Sequence, residues 1–109
     1  MTARMLVELD RVLVRIYELA ALGRDRFDRD DLVRLAIERL WIYAGNLALA
    51  HCDDAGIPDG VGPWSEMIAL RNVYAHYLPG QINPARVWAD TDGDIARIRA
   101  EVAAATGSG

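Results

Sequence analysis

Apolar side chains recur every third or fourth residue through the first part of the chain: Met5, Leu9, Val12, Leu13, Ile16 and Ala20. That spacing predicts a helix over residues 3–22, with Arg4, Glu8, Arg11, Arg15 and Glu18 mostly off its apolar face. Gly23 follows and suits a left-handed C-terminal cap. Residues 24–31 read as a charged connector, with Asp28 as N-cap of the next helix and Asp30 and Asp31 beside its positive end. The second helix is expected over residues 29–52, with Leu32, Leu35, Ala36, Leu40, Tyr43, Leu47 and Ala50 as its main stripe. Its second half, residues 40–50, is apolar nearly all round, so it should be buried on more than one side. In a chain with so few helices, a subunit interface is the expected second side.

Gly56, Pro58, Gly60 and Gly62 mark residues 53–62 as a loop. Pro63 suits the first turn of a third helix, over residues 63–77, and Pro79-Gly80 stops it. Asn83-Pro84 then starts a short helix whose apolar residues are Val87 and Trp88. Thr91 and Asp94 form a capping-box-like pair, and Ile95, Ile98, Val102 and Ala105 continue at helical spacing. No stretch alternates as a strand would. The expected fold is all-α: an antiparallel four-helix bundle with a short extra helix, in one domain over residues 1–105, followed by a flexible tail at 106–109.

Composition narrows this picture. A chain of 109 residues holds one modest core, and 52% hydrophobic residues is a surplus that oligomerisation would cover. The formal charge is -4, and every basic side chain other than histidine is arginine. This balance argues against a large sequence-independent nucleic-acid binder, but not against an enzyme that grips a few phosphates. From residue 40 to residue 70 every charged residue is acidic; arginine returns at Arg71. Cys52 is the only cysteine and has no partner for an internal disulfide, which fits a reducing cytoplasm. The charged N-terminal segment does not read as a signal peptide, and no apolar run reaches membrane-spanning length.

The chemistry concentrates in Arg71-Asn72-Val73-Tyr74-Ala75-His76-Tyr77. Arginine can grip a phosphate with two parallel hydrogen bonds, and histidine exchanges a proton near neutral pH. Cleaving RNA by internal transfer needs a base, an acid and a cation at the phosphorane. His76 can be base or acid, Arg71 can hold the phosphate, and Asn72 can support either. Asn72 and His76 share a helical face, whereas Arg71 and His76 are roughly 140° apart around the axis. One copy offers a single such histidine; a two-fold dimer offers two. A surface arginine with a histidine at a helix C-terminus is the structural alternative. Tyr74 is read as packing, and Trp41, Trp64 and Trp88 as core or interface anchors. His51 is expected to meet the carbonyls at the end of its helix. The run His51-Cys52-Asp53-Asp54 has ligand-type side chains, but such neighbours do not converge on one ion. No metal site and no cofactor are expected.

The order of features is specific: a buried second helix carrying Ala36-Ile37-Glu38-Arg39, a Gly/Pro loop, Pro63-Trp64, the Arg71-Asn72-x-x-x-His76 core, and then Pro84-Ala85-Arg86-Val87-Trp88. Over residues 31–102 the chain resembles the HepT-like branch of the HEPN superfamily. The resemblance implies a small all-helical homodimer whose Arg-x4-His motifs meet in a cleft at the interface. It implies a metal-independent endoribonuclease toxin, with Arg71 and His76 catalytic and Asn72 supportive. It also implies a minimal nucleotidyltransferase antitoxin, of the MntA kind, that silences the toxin by adding AMP to a tyrosine. In the family that tyrosine usually sits two positions after the histidine. Here Leu78 occupies that place and the tyrosine is Tyr77. The alternative is a non-catalytic helical dimer that serves as binding partner of a nucleotidyltransferase.

Overall fold

The computed structural model describes residues 2–78 and 81–107. Pro79 and Gly80, expected to stop the third helix, and Ser108 and Gly109 of the expected tail lie outside the described residues. Six helices follow one another: α1 (Thr2–Ala20), α2 (Arg24–Arg29), α3 (Asp31–Ala55), α4 (Gly62–His76), α5 (Pro84–Thr91) and α6 (Asp94–Ala105). No strand occurs among the described residues. The fold is an all-α HEPN-like bundle of four longer helices, with α2 and α5 as short additions. No helix is long and apolar enough to cross a membrane among the described residues.

The central helix is α3, which packs most extensively on α1 and α4 and also meets α2 and α5. Its buried apolar face runs through Val33, Ile37, Trp41, Ala44, Ala48 and Cys52. These residues meet Leu9, Val12, Leu13 and Ile16 of α1 in one core, together with Ile95, Ile98 and Val102 of α6. The expected stripe of α3 was therefore misphased. Leu32, Tyr43 and Ala50 are exposed, and Leu35, Ala36, Leu40 and Leu47 are only half-buried. Because residues 40–50 are apolar almost all round, periodicity alone leaves the phase of the helix open. The fully buried Trp41 side chain fixes it.

Trp41 also explains Thr91. Its Nε1–H donates to Thr91 Oγ1 (3.0 Å), and the same hydroxyl donates to Val87 O (2.8 Å). A buried indole N–H needs such a partner. Thr91 is thus a buried residue at the end of α5, not one half of a capping box. The N-cap of α6 is Gly93, at φ 76°, without a side-chain cap.

The expected charged connector is helical. Phe27 is buried against Trp88, with ring centroids 5.1 Å apart. Arg24 pairs with Asp28 and Arg26 with Asp30, each at i,i+4. The N-cap of α3 is Asp30 rather than Asp28: its Oδ1 accepts from Leu32 N at 3.0 Å. Gly23 has positive φ but extended ψ (95°, 162°), so it leads into α2 and is not a left-handed cap of α1. The left-handed cap is Gly56 (68°, 32°), which ends α3 three residues later than expected.

Candidate active site

Pro63 opens α4, and Pro63, Trp64, Met67 and Tyr74 form its buried face. Serine, asparagine and histidine follow the other side, because Ser65, Asn72 and His76 recur at spacings of seven and four. The separation between α3 and α4 is set by Gly45. A Cβ there would overlap Arg71 Cβ and lie 2.7 Å from Met67 O. Only glycine lets the two backbones approach this closely, at the level of Arg71.

Arg71 is half-buried in that crossing, and its guanidinium is held from two sides. Nε–H donates to Asn46 Oδ1 and Nη1–H donates to Asn72 Oδ1, both at 2.8 Å. The bond to Asn72 draws the head group toward the face that Asn72 shares with His76. The outer Nη2 and the second Nη1–H are unbonded among the described residues.

His76 is the last residue of α4 and is exposed. The helix ends one residue earlier than expected, since Tyr77 is its C-cap with extended backbone (φ -97°, ψ 153°). The Tyr77 ring stands edge-on to His76 at 5.1 Å and is 50% exposed; Leu78 is more exposed still. A half-buried groove beside them is lined by Leu35, Ile42, Tyr74, Ala75, Tyr77 and Leu78, among others.

Tyr74 packs, as its neighbours suggest, but it also donates its hydroxyl to Asp90 Oδ2 at 2.7 Å. Burial, reinforced by Asp90, pushes its pKa well up. His51 is buried against Trp64, with centroids 4.5 Å apart. Its Nδ1 has no partner, and it makes none of the bonds to helix-end carbonyls that the sequence suggests. Cys52 is buried beside it, and desolvation, with Asp53 and Asp59, raises its thiol pKa. No cluster of three or more His, Cys, Asp or Glu side chains suited to a metal ion exists among the described residues.

Thus Arg71 and Asn72 are in direct contact, His76 and Tyr77 are adjacent and exposed at the end of the same helix, and Gly45 and Asn46 are additions that the motif does not contain. Their signal in the sequence is a Gly-Asn pair, two poor helix formers, inside an otherwise apolar helix.

No curated protein and no solved structure matches the chain. A family model, described as "Ribonuclease HepT-like", matches residues 9–105, a span that includes every helix of the site just described. The chain belongs to the HepT-like ribonuclease family.

Proposed function

We propose that this chain is a metal-independent endoribonuclease toxin that works as a homodimer, with Arg71 and His76 as its catalytic residues and Asn72 in support. A single HEPN domain over residues 1–105 would carry this activity. The observation that carries the reading is the fixed guanidinium of Arg71, turned toward the helix face that ends in the exposed His76.

In the proposed reaction one imidazole takes the proton of a ribose 2′-hydroxyl. The 2′-oxygen attacks the adjacent phosphorus, and the bond from phosphorus to the 5′-oxygen breaks. A second imidazole, already protonated, gives its proton to the departing 5′-oxygen. The products are a 2′,3′-cyclic phosphate and a 5′-hydroxyl. Arg71 stabilises the extra negative charge on the phosphorane. Two imidazoles require two copies of His76, hence the dimer.

The surface of α3 supports that dimer. Asn46 lies on a helical face with Leu32, Leu35, Ile42, Tyr43 and Leu49, which single-chain packing leaves exposed or half-exposed. A second copy seated there would cover the surplus apolar surface and bring both Arg71 side chains to the same seam. Regulation would come from a minimal nucleotidyltransferase antitoxin that transfers AMP from ATP to the Tyr77 oxygen, which loses its proton as pyrophosphate leaves the α-phosphorus. The exposure of Tyr77 and its departure from the helix favour this residue despite its shift by one position. That same shift is what favours the second reading, a non-catalytic dimer that only binds the nucleotidyltransferase.

RNA cleavage by purified protein in EDTA separates the two readings. Cutting that leaves a cyclic phosphate, and that vanishes in both His76→Ala and Arg71→Ala, supports the ribonuclease. Intact, unmodified dimer that cuts none of several RNA classes supports the binding partner.

A further inference from the structure

The hydrogen bonds around Arg71 fix more than the arginine. A guanidinium has only donors, so the atom of Asn46 that faces Nε and the atom of Asn72 that faces Nη1 must both be carbonyl oxygens. Each amide is thereby oriented with its oxygen toward the arginine and its NH2 group turned away. Both asparagines are exposed, and neither NH2 group has a partner among the described residues. With the outer Nη2 of Arg71, they are N–H donors on residues bonded to one guanidinium that carries a positive charge. No ion pair engages Arg71 among the described residues. Free N–H donors beside a guanidinium charge are matched by an oxyanion.

We propose that Asn46, from α3, is a third phosphate-binding residue of this site, which donates its amide N–H to a phosphodiester oxygen of RNA while its carbonyl holds Arg71 in place. This deepens the ribonuclease reading and rests on it for the identity of the ligand. Gly45 is the positioning partner: without its close approach to Arg71, Asn46 would stand too far from α4 to reach Nε.

The two roles of Asn46 separate in one substitution. Asn46→Asp keeps an oxygen for Arg71 Nε but replaces the NH2 donor with a negatively charged acceptor. Asn46→Ala removes both. The probe is a short 2′-O-methyl RNA, which has phosphodiesters but no 2′-hydroxyl to attack, so binding is read without cleavage. The state of Arg71 is read from its Nε–H signal in a proton–nitrogen NMR spectrum, and folding from the melting temperature. Asn83→Asp serves as a charge control, because aspartate also caps a helix.

The expected result is that Asn46→Asp keeps the protected Arg71 Nε–H signal yet binds the RNA about ten- to a hundredfold more weakly. Asn46→Ala loses both, and Asn83→Asp changes neither. Binding by Asn46→Asp that equals the wild type overturns the proposal and leaves Asn46 as a prop for Arg71. An equal loss in Asn83→Asp also overturns it, because the effect is then overall charge. RNA binding that depends on Asn46 in a protein that never cuts would sustain the phosphate site and remove the ribonuclease reading instead.

Discussion

His51 and His76 lie on the two helices of one packed pair, yet their surroundings are opposite. His51, near the end of α3, is 6% exposed, tilted against the Trp64 ring, and its Nδ1 has no partner among the described residues. His76, at the end of α4, is exposed, with Asn72 one turn before it and Arg71 drawn toward the same face. The same side chain is a buried packing ring in one place and an exposed ring, proposed above as the proton carrier, in the other. Burial encloses the first ring between α3 and Trp64; the second stands open at the end of α4. The difference is made by where each ring falls in the packed pair, and not by histidine as a residue type.

The sharpest way to break this comparison is to remove each imidazole in turn. His76→Ala should lower RNA cleavage about 10²- to 10⁴-fold, the usual worth of a general acid–base, with the melting temperature nearly unchanged. His51→Ala should do the reverse: the protein should melt earlier while the cleavage rate per folded molecule holds. If both variants lose activity alike without unfolding, the two surroundings are not functionally distinct.

Gly45→Ala acts on the wall between the two regions. The added methyl meets Arg71 and the α4 backbone, so α3 and α4 must separate. Overpacking of this kind costs about 1–3 kcal/mol. Because Arg71 is the residue displaced, cleavage should fall more than stability explains. Denaturant unfolding beside single-turnover cleavage tests this, and an alanine variant with full activity would show that the close approach serves packing alone.

Tyr74→Phe probes how the buried side of α4 supports its exposed end. Loss of the bond to Asp90 should cost about 1 kcal/mol near neutral pH. The pH dependence has a definite sign. The folded-state pKa of Tyr74 is raised above its ordinary value of 10.0, so its contribution is fully present below pH 10 and is lost as pH rises above it. Stability of the wild type should therefore decline in that range relative to Tyr74→Phe. A constant difference between the two proteins from pH 8 to 11 would contradict the buried, protonated hydroxyl.

The smallest effect belongs to His51→Phe. An apolar ring of similar shape removes a buried nitrogen that has no partner, so stability should change by less than about 1 kcal/mol in either direction. A loss well above that would mean that Nδ1 is bonded in solution.

Several of these residues were legible in the chain and others were not. Proline and glycine punctuation placed α4 and α5 closely, since Pro63 and Pro84 each open a helix and Asn83 caps one. The helix α2 escaped because one apolar residue, Phe27, has no period; its burial depends on Trp88, some sixty positions away in the chain. The phase of α3 escaped because every face of residues 40–50 looked suitable for a core. Leu32, Leu35 and Tyr43 of the expected stripe lie instead on the surface that the proposed dimer would cover.

By itself, the sequence determined the all-α class, the order of the longer helices and the place of Arg71, Asn72 and His76 on one of them, because helical periodicity and capping are local properties of the backbone. The tertiary structure decided which face of α3 enters the core, and that Gly45 and Asn46 stand against Arg71. Both depend on side chains 25 or more positions apart that meet only when two helices pack. It also decided that one histidine is enclosed and the other open, since exposure belongs to the packed assembly and not to a residue in its local sequence.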